Sequence, residues 1–153
     1  MRNHLPSSFG DFRCTNCGAF VSRTHMLSGV NNRNHCPYCL WSCHLDLYSA
    51  GDRLSACKAP MKPIGLTLKR SRNKYRSGPR GELMLIHACV DCTAVSINRI
   101  AADDDPETIL SVFRSSLEFD QHDFYSQQGI VMLETEDTEV VHTQLFGQAM
   151  LTW

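Results

Sequence analysis

Cys14-Thr15-Asn16-Cys17 and, 18 residues on, Cys36-Pro37-Tyr38-Cys39 are the stretches that decide the fold of this chain. Two cysteines separated by two residues put both sulfurs on one tight turn, where they reach a single ion. Two such turns supply the four thiolates of a closed tetrahedral zinc shell with no open position for water. Gly18 follows the first pair, and a residue this small lets the backbone amides of the turn swing toward sulfur.

Working outward, a third pair stands at Cys89 and Cys92, and Cys43 and Cys57 complete the eight cysteines. No apolar run follows the basic start Met1-Arg2-Asn3-His4, so no export signal is read and disulfides are disfavoured against metal. Cys89 and Cys92 need two further ligands. Cys57 is one, and Cys43 and His44 compete for the other, with His35 and His87 as outsiders. Cys43 is the answer by arithmetic, since it would give a second all-cysteine site.

The net charge of -1 conceals a division. Residues 1–102 hold 14 Lys/Arg and 5 Asp/Glu, a balance of +9, whereas residues 103–153 hold 1 Arg and 11 Asp/Glu, a balance of -10. Thiolates bound to zinc lower the first figure without reversing it. The pattern suggests a surface that meets a polyanion joined to an acidic segment, or an acidic segment packed on the basic part. No apolar run is long enough to span a bilayer, so no membrane partner is expected.

Residues 1–11 read as a flexible lead-in, and residues 12–60 are turn-rich, with too little apolar periodicity to fold without a metal staple. Ile64 to Leu68, Glu82 to His87 and Ala94 to Ile97 read as strands. The first two flank a polar, glycine-bearing hairpin tip. Asp103-Asp104-Asp105-Pro106-Glu107 is a helix start, with a capping acid and proline in the first turn. The helix should run from about 106 to 117, with Ile109, Leu110, Phe113 and Leu117 on one face. Ile130 to Leu133 and Val140 to Phe146 read as a hairpin around the acidic turn Glu134 to Glu139. The expected class is a small metal-stabilised α+β fold, with hairpins over residues 12–105 and an acidic helix and β-hairpin over 106–153.

The ordered motifs resemble the RNHCP domain family. They run from Cys14 and Cys17 through Arg33-Asn34-His35-Cys36-Pro37, Ser42-Cys43-His44-Leu45-Asp46, Gly51-Asp52-Arg53 and Cys57. Met61-Lys62-Pro63-Ile64, His87-Ala88-Cys89-Val90-Asp91-Cys92, Asn98-Arg99-Ile100-Ala101 and the acids at 103–105 follow. The resemblance covers about residues 12–106 and implies a zinc-ribbon-like bacterial domain with no reaction assigned. It departs at Cys43, a spacer position the family pattern does not reserve for cysteine, and at Lys58-Ala59-Pro60, which replaces a glycine-bearing stretch. The first departure moves the choice of ligand to His44. The metal set is then Cys14, Cys17, Cys36 and Cys39 for one Zn(2+), and His44, Cys57, Cys89 and Cys92 for a second. His35 is expected to support a thiolate or a backbone carbonyl from behind the ligands. Arg33 and Arg53 are expected to pin loops to Asp46 and Asp52.

Three functions follow. Lys69, Arg70, Arg72, Lys74, Arg76 and Arg80 crowd the hairpin tip without an acid, and Tyr75 stands among them. Cations neutralise phosphates and release counterions, and a tyrosine can stack on an unpaired base. The tip is therefore expected to bind nucleic acid, RNA before DNA, with the ribosome or translation machinery as a setting. The second function is a protein-interaction module in which the acidic segment meets a basic partner, with Trp41, Phe146 and Trp153 as anchors. The third is a zinc-finger-type nuclease built on His35, His44, His87, Asp46 and the acids at 103–105, each of which has a structural role to fill first. Serine nucleophile signatures and phosphate-cradling glycine loops are absent from the sequence, so no catalytic residue and no organic cofactor are expected. A reducing cytoplasm suits thiolate sites.

Overall fold

A computed structural model describes residues 11–22, 35–44, 56–69, 81–118 and 122–147 of the chain. Its smallest unit is a cysteine turn that occurs three times. The amide of the first cysteine donates to the carbonyl five residues on: Cys14 to Ala19 at 2.8 Å, Cys36 to Trp41 at 2.9 Å and Cys89 to Ala94 at 2.9 Å. In the first two turns the chain doubles back at the fifth residue, where Gly18 has φ +82 and Leu40 φ +69. Glycine adopts that left-handed conformation freely, whereas a leucine does so only when its surroundings hold it.

Strand β1 (Phe12–Arg13) pairs antiparallel with β2 (Phe20–Val21) around the first turn. The larger sheet is antiparallel, in the order β3 (Ser42–Cys43), β4 (Pro60–Lys69), β5 (Glu82–Cys89) and β6 (Val95–Arg99). β4 and β5 contain the strands expected there, and β6 begins one residue later than expected, at Val95. β4 and β5 stay paired from Met61↔Cys89 out to Lys69↔Glu82, interrupted by an irregularity between Pro63 and Gly65. The two strands therefore pair along one long ladder, with a cysteine site at its Met61↔Cys89 end.

Alternation along β5 sends Leu83 and Leu85 to one face of the sheet and Met84 and Ile86 to the other. Helix α1 (Pro106–Ser116) covers the first face with Ile109, Leu110 and Phe113, joined by Leu66, Leu133 and Val141 in the main core. Asp105 caps α1, accepting from the Thr108 amide at 3.2 Å. Tyr125, on helix α2 (His122–Ser126), and Met132 pack with Ile86 on the other face.

The two C-terminal strands are not formed. Ile130 to Leu133 has no ladder and lies against the open edge of β4, where the Leu133 amide donates to the Leu66 carbonyl at 2.8 Å. The Thr67 hydroxyl donates to the Val131 carbonyl at 2.7 Å. The β4 backbone comes this close because Gly65 has no side chain: a Cβ there would sit 3.0 Å from the Met132 sulfur. The acidic turn winds into a 3₁₀ turn (Thr135–Asp137) opened by a capping box between Glu134 and Asp137. Helix α3 (Thr138–Phe146) follows and ends at Gly147, φ +79. Val140 and Val141 favour a strand by local preference, but a helix here seats Val141 in the main core, and that burial decides. The acidic extension is thus a cover for the sheet, and the Gln144 side chain spans the start of β5 by accepting from the Leu83 amide and donating to the Gly81 carbonyl.

Candidate metal centres

Each turn points its sulfurs inward because its own amides aim at them. The Asn16 and Cys17 amides donate to the Cys14 sulfur at 3.3 and 3.4 Å, and the Tyr38 amide donates to the Cys36 sulfur at 3.4 Å. The two turns face each other, with Cys14 Sγ 3.5 Å from Cys39 Sγ and Cys17 Sγ 3.7 Å from Cys36 Sγ. A tetrahedral ion with metal–sulfur bonds of about 2.3 Å sets its sulfurs about 3.8 Å apart. The four thiols fit such an ion.

The second site gathers His44, Cys57, Cys89 and Cys92, whose ligand atoms all lie within 4.8 Å of one another. Cys57 Sγ is 3.6 Å from Cys89 Sγ, and Cys92 Sγ is 3.5 Å from His44 Nδ1. The shorter bond to nitrogen gives an ideal sulfur–nitrogen spacing of about 3.6 Å. Cys43, at the end of β3, is outside the cluster, with its sulfur 3.9 Å from the Thr15 hydroxyl of the first turn. Adjacent residues of an extended chain face opposite ways, so only one of Cys43 and His44 can look into the site. The glycine-free stretch after Cys57 still makes the turn, because Lys58 takes φ +52 itself. It is held by the exchange of Lys58 amide to His44 carbonyl and His44 amide to Ala59 carbonyl.

The acidity of these thiols is divided. Burial pushes Cys36 up to about 12 and raises Cys39. Burial also opposes ionisation of Cys14 and Cys89, but the turn amides outweigh it, holding Cys14 below its ordinary value and Cys89 at about 7. Cys57 is raised although the Ala59 amide favours its thiolate, because desolvation and the neighbouring sulfurs oppose the charge. Four sulfurs this close cannot all ionise without a cation between them, so binding an ion displaces the protons of the thiols still protonated.

Behind the first site is a buried polar network whose pairings the sequence does not reveal. His35 Nε2 pairs with Asp104 Oδ2 at 2.6 Å, and both side chains are buried. Asp104 is therefore not a second helix cap, and its Oδ2 also accepts from the Ala101 amide at 2.8 Å. His87 is no ligand either. Its Nε2 is 2.6 Å from the Leu40 carbonyl, an acceptor, so Nε2 carries the proton, and Nδ1 accepts from the Asn98 amide group at 2.9 Å. Complete burial, and then the charge of His35, lower its pKa to about 3 and keep it neutral. These bonds hold the carbonyl of the left-handed Leu40, whose side chain is fully buried in the main core. The Asp105 amide adds a bond to the Pro37 carbonyl at 3.1 Å. The second turn of the first site is thereby pinned to the sheet and to the start of α1. Asn98 had no signal in the sequence beyond its place in the Asn-Arg-Ile-Ala motif.

Of the basic tip, Lys69 is an exposed residue at the end of β4, and Arg70, Arg72, Lys74, Tyr75, Arg76 and Arg80 lie outside the described residues. The same holds for Arg33, Arg53, Asp46, Asp52 and Trp153, while Trp41 is half-buried and Phe146 exposed. Of the residues named for a nuclease, His44 joins the second cysteine site, His35 pairs with Asp104, His87 bonds the Leu40 carbonyl, Asp105 caps α1, and Asp46 lies outside the described residues. No helix among the described residues is long and apolar enough to cross a membrane.

The RNHCP domain family profile matches residues 9–110. No curated protein and no solved structure matches the chain. The matched stretch takes in both cysteine clusters and every residue of the buried network, and the chain belongs to the RNHCP domain family.

Proposed function

We propose that this protein is a non-enzymatic, cytoplasmic nucleic-acid-binding module built on two zinc ions, with RNA as its target. Zinc is the ion that tetrahedral thiolate and thiolate–imidazole sets of this geometry favour. The observation that carries the reading is the register of the β4–β5 hairpin. Pairing as far as Lys69↔Glu82 fixes the two residues nearest the ends of the cation-rich segment side by side, at the end of the sheet opposite the second cysteine site. The sheet gives that end rigidity, and the cations give the segment affinity for phosphate. A cation-rich connection of this kind suits the surface of a folded RNA, including a ribosomal one.

The test is fluorescence anisotropy with structured RNA and duplex DNA across a salt series. The metal-loaded protein is compared with a variant in which Lys69, Arg70, Arg72, Lys74, Arg76 and Arg80 are all replaced by Gln. RNA binding that weakens steeply with salt, with a shallower slope in the variant, supports the reading. Absence of binding to either nucleic acid at low salt removes it.

A second reading draws on the apolar residues exposed in the acidic extension. Phe124 and Val131 are 48% and 67% exposed, with Asp123 and Glu134 as close neighbours in sequence. Such a surface would suit a basic protein partner, and capture of one by the wild-type chain but not by a Phe124→Ser, Val131→Ser variant distinguishes it.

A further inference from the structure

We infer that the second metal centre is an oxidation site: a peroxide attacks Cys57, a disulfide to Cys89 or Cys92 forms, and that centre's ion is lost while the first centre keeps its own. The inference rests on the metal reading of the two clusters and adds a reactivity to one of them.

The two clusters differ in access and in anchorage. In the first, Cys14 and Cys36 are buried and Cys39 half-buried, leaving Cys17 as the exposed ligand. In the second, Cys57 and Cys92 are both exposed, His44 is half-buried and Cys89 alone is buried. The first step of thiolate oxidation needs an accessible sulfur. The second step needs another sulfur to close to about 2.05 Å. Cys57 satisfies the first requirement and has Cys89 Sγ at 3.6 Å for the next. Cys17 is also accessible, but Cys36, whose sulfur is 3.7 Å away, is fully buried. The turn that carries Cys36 cannot shift without disturbing Leu40 in the core, the His87 bond to the Leu40 carbonyl, the His35–Asp104 pair and the Asp105 bond to Pro37. Around the second site the packing is a small separate cluster, Ala59, Met61 and Cys89, with Ala94 against it.

The chemistry balances. The Cys57 sulfur attacks one peroxide oxygen and becomes a sulfenic acid, and the other oxygen leaves as hydroxide and is protonated to water. A second thiolate attacks the Cys57 sulfur, the sulfur–sulfur bond forms, and the sulfenic oxygen leaves as a second water. Two sulfurs lose two electrons in all, and hydrogen peroxide with two protons becomes two waters. The centre is left with two donors and no longer holds its ion. The main core lies in a different cluster of side chains, so the fold persists.

The test uses the full chain loaded with zinc and counted beforehand. Hydrogen peroxide is added stepwise up to a tenfold excess, metal release is followed with a chromophoric chelator, and oxidised cysteines are mapped by differential alkylation and mass spectrometry. A starting content below two zinc ions per chain overturns the metal reading itself. With two present, the expected result is release of one, oxidation within Cys57, Cys89 and Cys92, an unchanged far-ultraviolet circular dichroism spectrum, and recovery with dithiothreitol and zinc. The Cys43→Ser variant should react in the same way. Oxidation of the first cluster before the second, simultaneous loss of both ions, retention of both at tenfold peroxide, or dependence on Cys43 would each overturn the assignment.

Discussion

Leu40 is the position where the metal centre and the core share one residue, and truncating it separates two contributions. Its side chain is fully buried among Leu66, Leu83, Leu85 and Phe113, and its backbone sits at φ +69. Removing a buried leucine side chain to Ala costs about 3 kcal/mol. Gly at the same position would ordinarily lose about 1.5 kcal/mol more than Ala, about 0.8 for the last methyl group and the rest as chain entropy. Here a left-handed conformation penalises Ala by about 1–2 kcal/mol and leaves Gly unstrained. The two effects cancel. Leu40→Ala and Leu40→Gly should therefore both lose about 3 kcal/mol and agree within about 0.5 kcal/mol. Urea unfolding followed by circular dichroism, at one fixed excess of zinc for all three proteins, measures this. A Gly variant about 1.5 kcal/mol below the Ala variant would refute the left-handed turn, and a loss under about 1 kcal/mol in both would refute the docking of the turn into the core.

Gly18→Ala should cost about 1 kcal/mol by urea unfolding, from backbone conformation alone, since φ is +82 and a Cβ would meet nothing within 4 Å. His87→Leu strands the Leu40 carbonyl and the Asn98 amide group in the core and should lose about 2–5 kcal/mol in the same assay, with His87→Gln losing less because it can still donate. The pH dependence of His87 has a definite sign: the folded protein keeps it neutral down to about 3 while the unfolded chain takes up a proton near 6.5. Stability from this residue is present above pH 6.5 and drains away as pH falls toward 3. Between pH 6.5 and about 5.5, the wild type should lose about 1 kcal/mol more than His87→Gln, measured by urea unfolding at each pH.

Local chemistry made much of this molecule legible. The cysteine spacing, the aliphatic runs of β4 and β5 and the capped start of α1 are each written in a few neighbouring residues, and each formed where those residues stand. Helix α3 was missed because Val140, Val141, Thr143 and Phe146 carry strand preference, and the choice was made by the core. A signal was present in Gly147, a helix stop, and in the Glu134-x-x-Asp137 box. The extended path of Ile130 to Leu133 was read correctly as local conformation and wrongly as a strand, because pairing depends on which edge is open. The buried network was out of reach for a different reason. His35 and Asp104 are 69 residues apart, and the Asp103 to Asp105 run gives no sign that one acid caps a helix while its neighbour turns inward to a histidine.

The central claim is that two sets of four residues each hold one ion, with His44 and not Cys43 in the second. Native mass spectrometry of the chain and two variants tests it most directly. Two zinc ions are expected in the wild type, two in Cys43→Ser and one in His44→Ala. One ion in Cys43→Ser with two in His44→Ala would contradict it.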